Sequence, residues 1–400
     1  MSLRARARRN PAWIAAAVAG LVLLVLSGIA AAGIGKAQRD QKATLAIAWG
    51  AYALILVAYP LLAERRRWKL LPLGLLAWWV AFELCASRFL LHRLSLWHYG
   101  IMQDVDHRPK AVGGEFNSDP LRWTAESSEF TPAELNIVFL GDSFTFGSGL
   151  QVDVAFPRVT AVRLGEAFPG TRMRAANFGW VSSSPLLAYR RLRDIGEKYH
   201  PALVVMCVDM TDFKDDIMYG HMLERRGLYA WYDRLPITLK CFRLRAPETY
   251  ARLVSWSVGG APTQRFFMSE APLEETRRYL EPLAANVQRI ADWCRARGVD
   301  FVLAVLPRCY QYDEREAPQS WERGEYTTLG PYSLEPFRFF DELREQVDYP
   351  IVSLLEDFRE TDVFPTCFPD DPHWNGAGHR VAGTALAREL APILARRLER

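Results

Sequence analysis

The sequence predicts an α/β domain, with a central parallel sheet covered by helices on both faces, behind a set of N-terminal transmembrane helices. Three observations carry this prediction. From residue 137 onward, short continuous apolar runs alternate with stretches of helical spacing, as in βαβ units. The first of these runs ends abruptly in Gly141-Asp142-Ser143, where glycine lets a buried strand turn sharply toward a following helix. Ahead of residue 92 lie apolar runs long enough to cross a bilayer.

Taken in order, the chain has no ionisable side chain between Arg9 and Lys36, which predicts a span over 11–35. That run is too long for a signal peptide and lacks a cleavage site, so it is expected to remain in place. A second charge-free run gives a span over 43–63. A third, over 70–91, contains Glu83 and Arg88, and Glu83 is read as reaching the interface or pairing with Arg88. Basic residues concentrate on the cytoplasmic side, so Arg4, Arg6, Arg8 and Arg9 should share that side with the Arg65 to Lys69 cluster. Three spans then make a multi-pass cell-membrane protein with its catalytic domain in the periplasm. With the third segment only a surface helix, the domain would be cytoplasmic.

Residues 92–136 have no periodicity and read as a linker and lead-in. The domain proper is expected over 137–400. After the first strand, Phe156, Val159, Val162 and Leu164 suggest a helix that ends near Pro169-Gly170. Met173 to Phe178 is the second strand. Ala188, Leu192, Ile195 and Tyr199 follow helical spacing from Pro185 until His200-Pro201 stops them, and Ala202 to Val208 is the third strand. Residues 217–272 break the rhythm with many aromatics and read as an insertion over the active-site edge, suited to packing or to gripping a sugar or an acyl chain. Leu280, Leu283, Val287, Ile290 and Cys294 form a helical stripe capped at Gly298. The fourth strand is Phe301 to Leu306. A polar loop, a helix near Pro336 to Gln346, a short strand at Ile351 to Leu354 and a last helix with Leu386, Leu390 and Leu394 on one face complete the domain.

Ser143 sits where ligands bind in open α/β sheets. A serine hydroxyl needs a base and preferably an orienting carboxylate to act as a nucleophile. The far end of the chain supplies both in Asp370-Asp371-Pro372-His373, a carboxylate three or two residues before a histidine.

Gly141-Asp142-Ser143 near the start of the domain, paired with Asp370-x-x-His373 near its end, resembles the SGNH (GDSL-type) hydrolase family over roughly residues 115–400. Asn375 and Gly378 fit that family's terminal block. Asn177-Phe178-Gly179 matches the glycine after its second strand. The third block departs: Thr211 stands where the family has an oxyanion-hole Asn, with Asp212 keeping the next position. The resemblance implies a flavodoxin-like three-layer fold with strand order 2-1-3-4-5. It also implies a Ser143–His373–Asp370 triad, with Asp371 as alternative because some related O-acetyltransferases use Asp-x-His. The oxyanion donors expected are the backbone N–H groups of Ser143 and Gly179, with the Thr211 hydroxyl as a third. The expected activity is that of a membrane-anchored serine ester hydrolase on an acylated envelope glycan or lipid. Two alternatives stand beside it: an O-acyltransferase that needs an acyl-donating membrane partner, and a noncatalytic glycan-binding or assembly module.

A net charge of +3 without a sustained basic tract gives nucleic-acid binding no support. Six cysteines, none at metal-ligand spacing, argue against zinc. No cofactor and no metal are expected; Asp209, Asp215 and Asp216 read as solvated turn carboxylates. Trp374 is expected at the site's rim and His379 in the first turn of the last helix. Cys207 should pack in a strand as a small hydrophobe, and Cys309 with Cys367 could form a disulfide bracing the catalytic turn.

Overall fold

The computed structural model describes residues 115–224, 226–227, 252–253, 255–260, 262 and 264–399. The expected spans 11–35, 43–63 and 70–91, the linker as far as 114 and the middle of the 217–272 insertion lie outside the described residues. The chain divides into two units, Met1–Gln103 with Asp233–Ala251, and Asp104–Tyr232 with Arg252–Arg400. All described residues belong to the second. Among them no helix is long and apolar enough to cross a membrane.

The apolar runs form five parallel strands: β1 (Leu135–Leu140), β2 (Met173–Asn177), β3 (Pro201–Val208), β4 (Asp300–Val305) and β5 (Ile351–Ser353). Their order is β2-β1-β3-β4-β5. The helices between and after them are α1 (Ser143–Phe146), α2 (Phe156–Ala167), α3 (Pro185–Ile195), α4 (Asp212–Leu223), α5 (Phe267–Glu270), α6 (Leu273–Arg295), α7 (Glu335–Arg344), α8 (Leu355–Glu360) and α9 (Gly376–Leu398). Proline near the start of α2, α3 and α7 suits positions whose N–H has no intrahelical acceptor.

Successive strand residues point to opposite faces, so the sheet has two cores. Val138, Leu140, Val204, Met206, Leu303 and Val305 face α3, α4, α6 and α7. Ile137, Phe139, Leu203, Val205, Val302 and Ala304 face α2, α8 and α9. Burial on both sides explains why these strands read as continuous apolar runs rather than alternating ones. The chain leaves β1 toward β2 on one side and extends from β3 toward β4 on the other. The crevice beyond the carboxyl ends of β1 and β3 is therefore the topological switch point.

Two boundaries differ from the sequence reading. Residues 115–136 are part of the domain rather than a linker. Arg122 is buried and donates to the carbonyls of Gly147 at 2.7 Å and Phe146 at 3.3 Å, while Asn117 donates to the Tyr199 hydroxyl at 2.9 Å. The ends of the expected insertion also belong to the parent fold. Residues 217–223 continue α4, where Tyr219 donates to the Ser182 carbonyl at 2.6 Å, and Phe266 and Met268 are buried in the domain.

Candidate active site

The β1 carboxyl end places Ser143. Gly141 has φ +155°, and a Cβ there would collide with the Thr145 hydroxyl; only glycine makes this turn. Asp142 then caps α1, its Oδ1 accepting from Phe144 N at 2.9 Å. Ser143 follows as the first residue of the helix, 7% exposed. Its N–H is among the first-turn donors that no intrahelical carbonyl satisfies.

The turn before α9 brings in the histidine. His373 Nε2 lies 2.7 Å from Ser143 Oγ, and Nδ1 is hydrogen-bonded to Asp371 Oδ1. This differs from the sequence preference for Asp370, which is exposed, while Asp371 takes the ring's Nδ1. The reason is local. Asp371 Oδ1 also accepts from the backbone N–H of His373 at 3.0 Å, so one Asx-type turn binds the ring and the main chain together at a two-residue separation. Burial pushes the Asp371 carboxyl up, but the His373 hydrogen bonds outweigh this and hold it below the usual carboxylate range. The Phe144 ring flanks the imidazole with centroids 5.1 Å apart.

The loop between β4 and α7, residues 306–334, supports this turn. Buried Glu316 accepts from Thr366 N at 2.6 Å, Thr366 Oγ1 at 2.8 Å and Cys367 N at 3.0 Å. Asn375 caps α9 by accepting from Ala377 and Gly378, and its amide donates to the carbonyls of Pro365 and Cys367. A buried ion network runs past Phe144, the residue after Ser143. Arg308, 1% exposed, donates to Asp209 at 2.7 Å and also to Glu322, whose other oxygen pairs with Arg265. Burial alone would lower the Arg308 pKa, yet the two carboxylates hold it well above its ordinary value. The sequence reading missed Glu316, Arg308 and Glu322. One signal was present: Asp209 follows β3 and Arg308 follows β4, two adjacent parallel strands in register at Val208 and Val305.

The oxyanion donors need correction too. The Thr211 hydroxyl is donated to Asp209 Oδ1 at 2.6 Å, and the Thr211 backbone N–H goes to the same atom. A hydroxyl has one hydrogen, so this one is unavailable to an oxyanion. The Gly179 N–H donates to Asn177 Oδ1 at 2.9 Å and has to exchange that partner before it can act. A Cβ at Gly179 would strike the Phe146 amide, so glycine is needed there for close packing against α1. The Ser143 N–H, by contrast, has no intrahelical acceptor to exchange. Thr211→Ala is therefore expected to keep kcat within about fivefold of wild type on a small ester, whereas loss of a working oxyanion donor costs on the order of 10²–10³. A loss of that larger size would return Thr211 to the oxyanion hole.

Asp209 and Asp216 are buried and Asp215 is half-buried, not solvated as the sequence suggested. Carboxylate oxygens of Asp142, Asp209 and Asp212 lie within 4.8 Å of one another, a spacing that could suit a cation. Arg308 already neutralises Asp209, and amide N–H groups occupy an oxygen each on Asp142 and Asp212. Burial, joined by carboxylate repulsion, pushes Asp142 up to about 6 and Asp212 well above its usual range. Burial also pushes Asp215 up to about 7 and Asp216 up to about 6.

Unfolded carboxyls titrate near 4. Between pH 6.5 and 8 the folded protein thus sheds protons that the unfolded chain has already lost, and stability falls. Buried His379, held down at about 3, acts in the opposite sense only below its unfolded value of about 6.5. The thermal midpoint is expected to drop by about 2–4 °C from pH 6.5 to 8. A flat or rising midpoint in a buffer series would contradict this account.

Three smaller expectations resolve as follows. Trp374 is fully buried, not at the rim; it stacks on Phe358 at 4.5 Å between centroids and backs Phe144. His379 lies in the first turn of α9, where its Nδ1 accepts from Phe156 N at 3.1 Å. Cys309 and Cys367 are neighbouring free thiols rather than a disulfide, each held by a tyrosine hydroxyl: Tyr326 at 3.8 Å and Tyr312 at 3.2 Å.

No protein-family model matches the chain, and no curated protein matches it. Several solved structures do. The structure of TesA is 17% identical with a TM-score of 0.37, covering 64% of this chain and 99% of its own. The psychrotrophic esterase EstA from Pseudoalteromonas sp., in a structure inhibited by monoethylphosphonate, is 13% identical with a TM-score of 0.36, covering 66% and 100%. A two-domain esterase (CEX) active on acetylated mannans is 14% identical with a TM-score of 0.35, covering 65% and half of its own chain. Likenesses of this size fix neither activity nor substrate.

Proposed function

We propose that the chain is a serine ester hydrolase of SGNH type whose triad is Ser143, His373 and Asp371. The observation that carries this reading is the 2.7 Å contact between His373 Nε2 and Ser143 Oγ, with Asp371 on the opposite ring nitrogen. In that arrangement Nδ1–H faces the carboxylate, leaving Nε2 to accept the serine proton. Ser143 Oγ attacks an ester carbonyl as His373 takes its proton. The tetrahedral intermediate collapses when His373 passes that proton to the departing alcohol, leaving an acyl group on Ser143. Water, deprotonated by His373, then releases the acid.

The two charge-free runs and the apolar run over 70–91 support a multi-pass membrane anchor, and three spans together with the arginine distribution support a periplasmic domain. An acylated envelope glycan or lipid is the substrate class that suits such a placement. The Asp371-x-His373 pairing favours a second reading, an O-acyltransferase in which a sugar hydroxyl replaces water in the last step. Such a transferase needs a membrane partner to donate the acyl group.

Full-length protein in detergent is expected to turn over a small aryl acetate, with activity lost in both Ser143→Ala and His373→Ala. Equal turnover by folded Ser143→Ala would refute the nucleophile assignment. Adding a sugar acceptor and analysing products separates acid release from acyl transfer.

A further inference from the structure

Trp321 lies in the β4–α7 loop and is 58% exposed. Its immediate neighbours are not. Glu322 is fully buried between Arg308 and Arg265, and its N–H is held by Ser320 Oγ at 3.2 Å. Gln319 N donates to the Pro369 carbonyl at 2.9 Å, which ties this stretch to the catalytic turn. The indole itself is oriented from two sides. The indole lies near the Asp371 carboxylate, helping to hold it below the usual carboxylate range, and the Arg265 guanidinium lies over the ring, 5.3 Å from the centroid. The rest of the ring meets solvent. Scattered exposed apolar side chains are ordinary, but this one sits on a stretch anchored in a buried ion network and tied to the catalytic turn.

We propose that Trp321 is a stacking platform for a sugar ring of an acylated glycan, seated so that the ester reaches Ser143. This rests on the hydrolase reading above. One imidazole and its two hydrogen bonds separate Asp371 from Ser143, so a sugar ring on Trp321 would stand about that far from the nucleophile, within the span of a linked sugar unit. The surroundings select the ligand. A sugar offers C–H groups to an aromatic face and hydroxyls to flanking charges, here those of Arg265 and Asp371, whereas an acyl chain needs enclosing apolar walls.

The test is steady-state kinetics of the full-length protein in detergent with two acetate esters, triacetin and an acetylated oligosaccharide of three or more units, read by released acetate. Trp321→Ala is expected to raise KM for the oligosaccharide about tenfold and leave KM for triacetin unchanged. Trp321→Phe keeps a stacking face and should hold the oligosaccharide KM within about threefold. Equal KM ratios for the two esters in Trp321→Ala would overturn the platform, as would wild-type turnover of triacetin without the oligosaccharide, and either result leaves the hydrolase reading intact. Wild-type turnover of neither ester sinks the hydrolase reading and the platform with it.

Discussion

Asp371→Asn should lower kcat on a small ester by on the order of 10⁴, while Asp370→Asn stays within about twofold of wild type. The asymmetry follows from what each carboxylate touches. Asp371 accepts from both His373 Nδ1 and His373 N. An asparagine there can still accept through its oxygen, but presenting its NH2 instead would stabilise the tautomer with the proton on Nε2. That tautomer cannot accept from Ser143. Asp370 is exposed and has no comparable duty. Rates for the two single variants, measured on samples of matched thermal midpoint, check this directly. Equal losses, or a larger loss at Asp370, would place the orienting carboxylate three residues before the histidine.

The second large effect concerns stability. Arg308→Met removes the cation shared by two buried carboxylates, Asp209 and Glu322. Breaking a buried ion pair from one side costs about 3–5 kcal/mol, because the remaining charge is stranded in a medium that cannot solvate it. For a domain of this size that is a fall of roughly 10 °C in thermal midpoint. Neutralising the partners as well, in Arg308→Met with Asp209→Asn and Glu322→Gln, should recover part of the loss. Calorimetry on the two variants reads both steps. A single variant as stable as wild type would mean the network contributes little to holding the loop.

Those two expectations mark where the sequence was legible and where it was not. The strands could be read because burial on both faces leaves unbroken apolar runs such as Ala202 to Val208. Ser143 and His373 could be read because each sits in a short local motif at a turn. The choice between Asp370 and Asp371 could not, since both lie within reach of the histidine in a Pro-containing turn. In the fold it is Asp371 that meets both the His373 Nδ1 and the His373 backbone N–H. Arg308, Glu316 and Glu322 were invisible for another reason. Their loop has no hydrophobic period, and Arg308 meets Asp209 across 99 residues of chain. Thr211 was misassigned because sequence position shows where a hydroxyl stands but not that Asp209, two residues earlier, has already taken its proton. Trp374 read as a rim residue from its place beside the histidine, yet the turn directs the indole inward onto Phe358 and Phe144.

The central claim is that Ser143 is an activated nucleophile. Its most direct test is treatment of the full-length protein in detergent with a fluorophosphonate, followed by peptide mapping by mass spectrometry. The arrangement of Ser143, His373 and Asp371 predicts one phosphonyl group per chain on the Ser143 peptide, with labelling slowed at least a hundredfold in His373→Ala. Labelling elsewhere, or none at Ser143 in a folded sample, would contradict it.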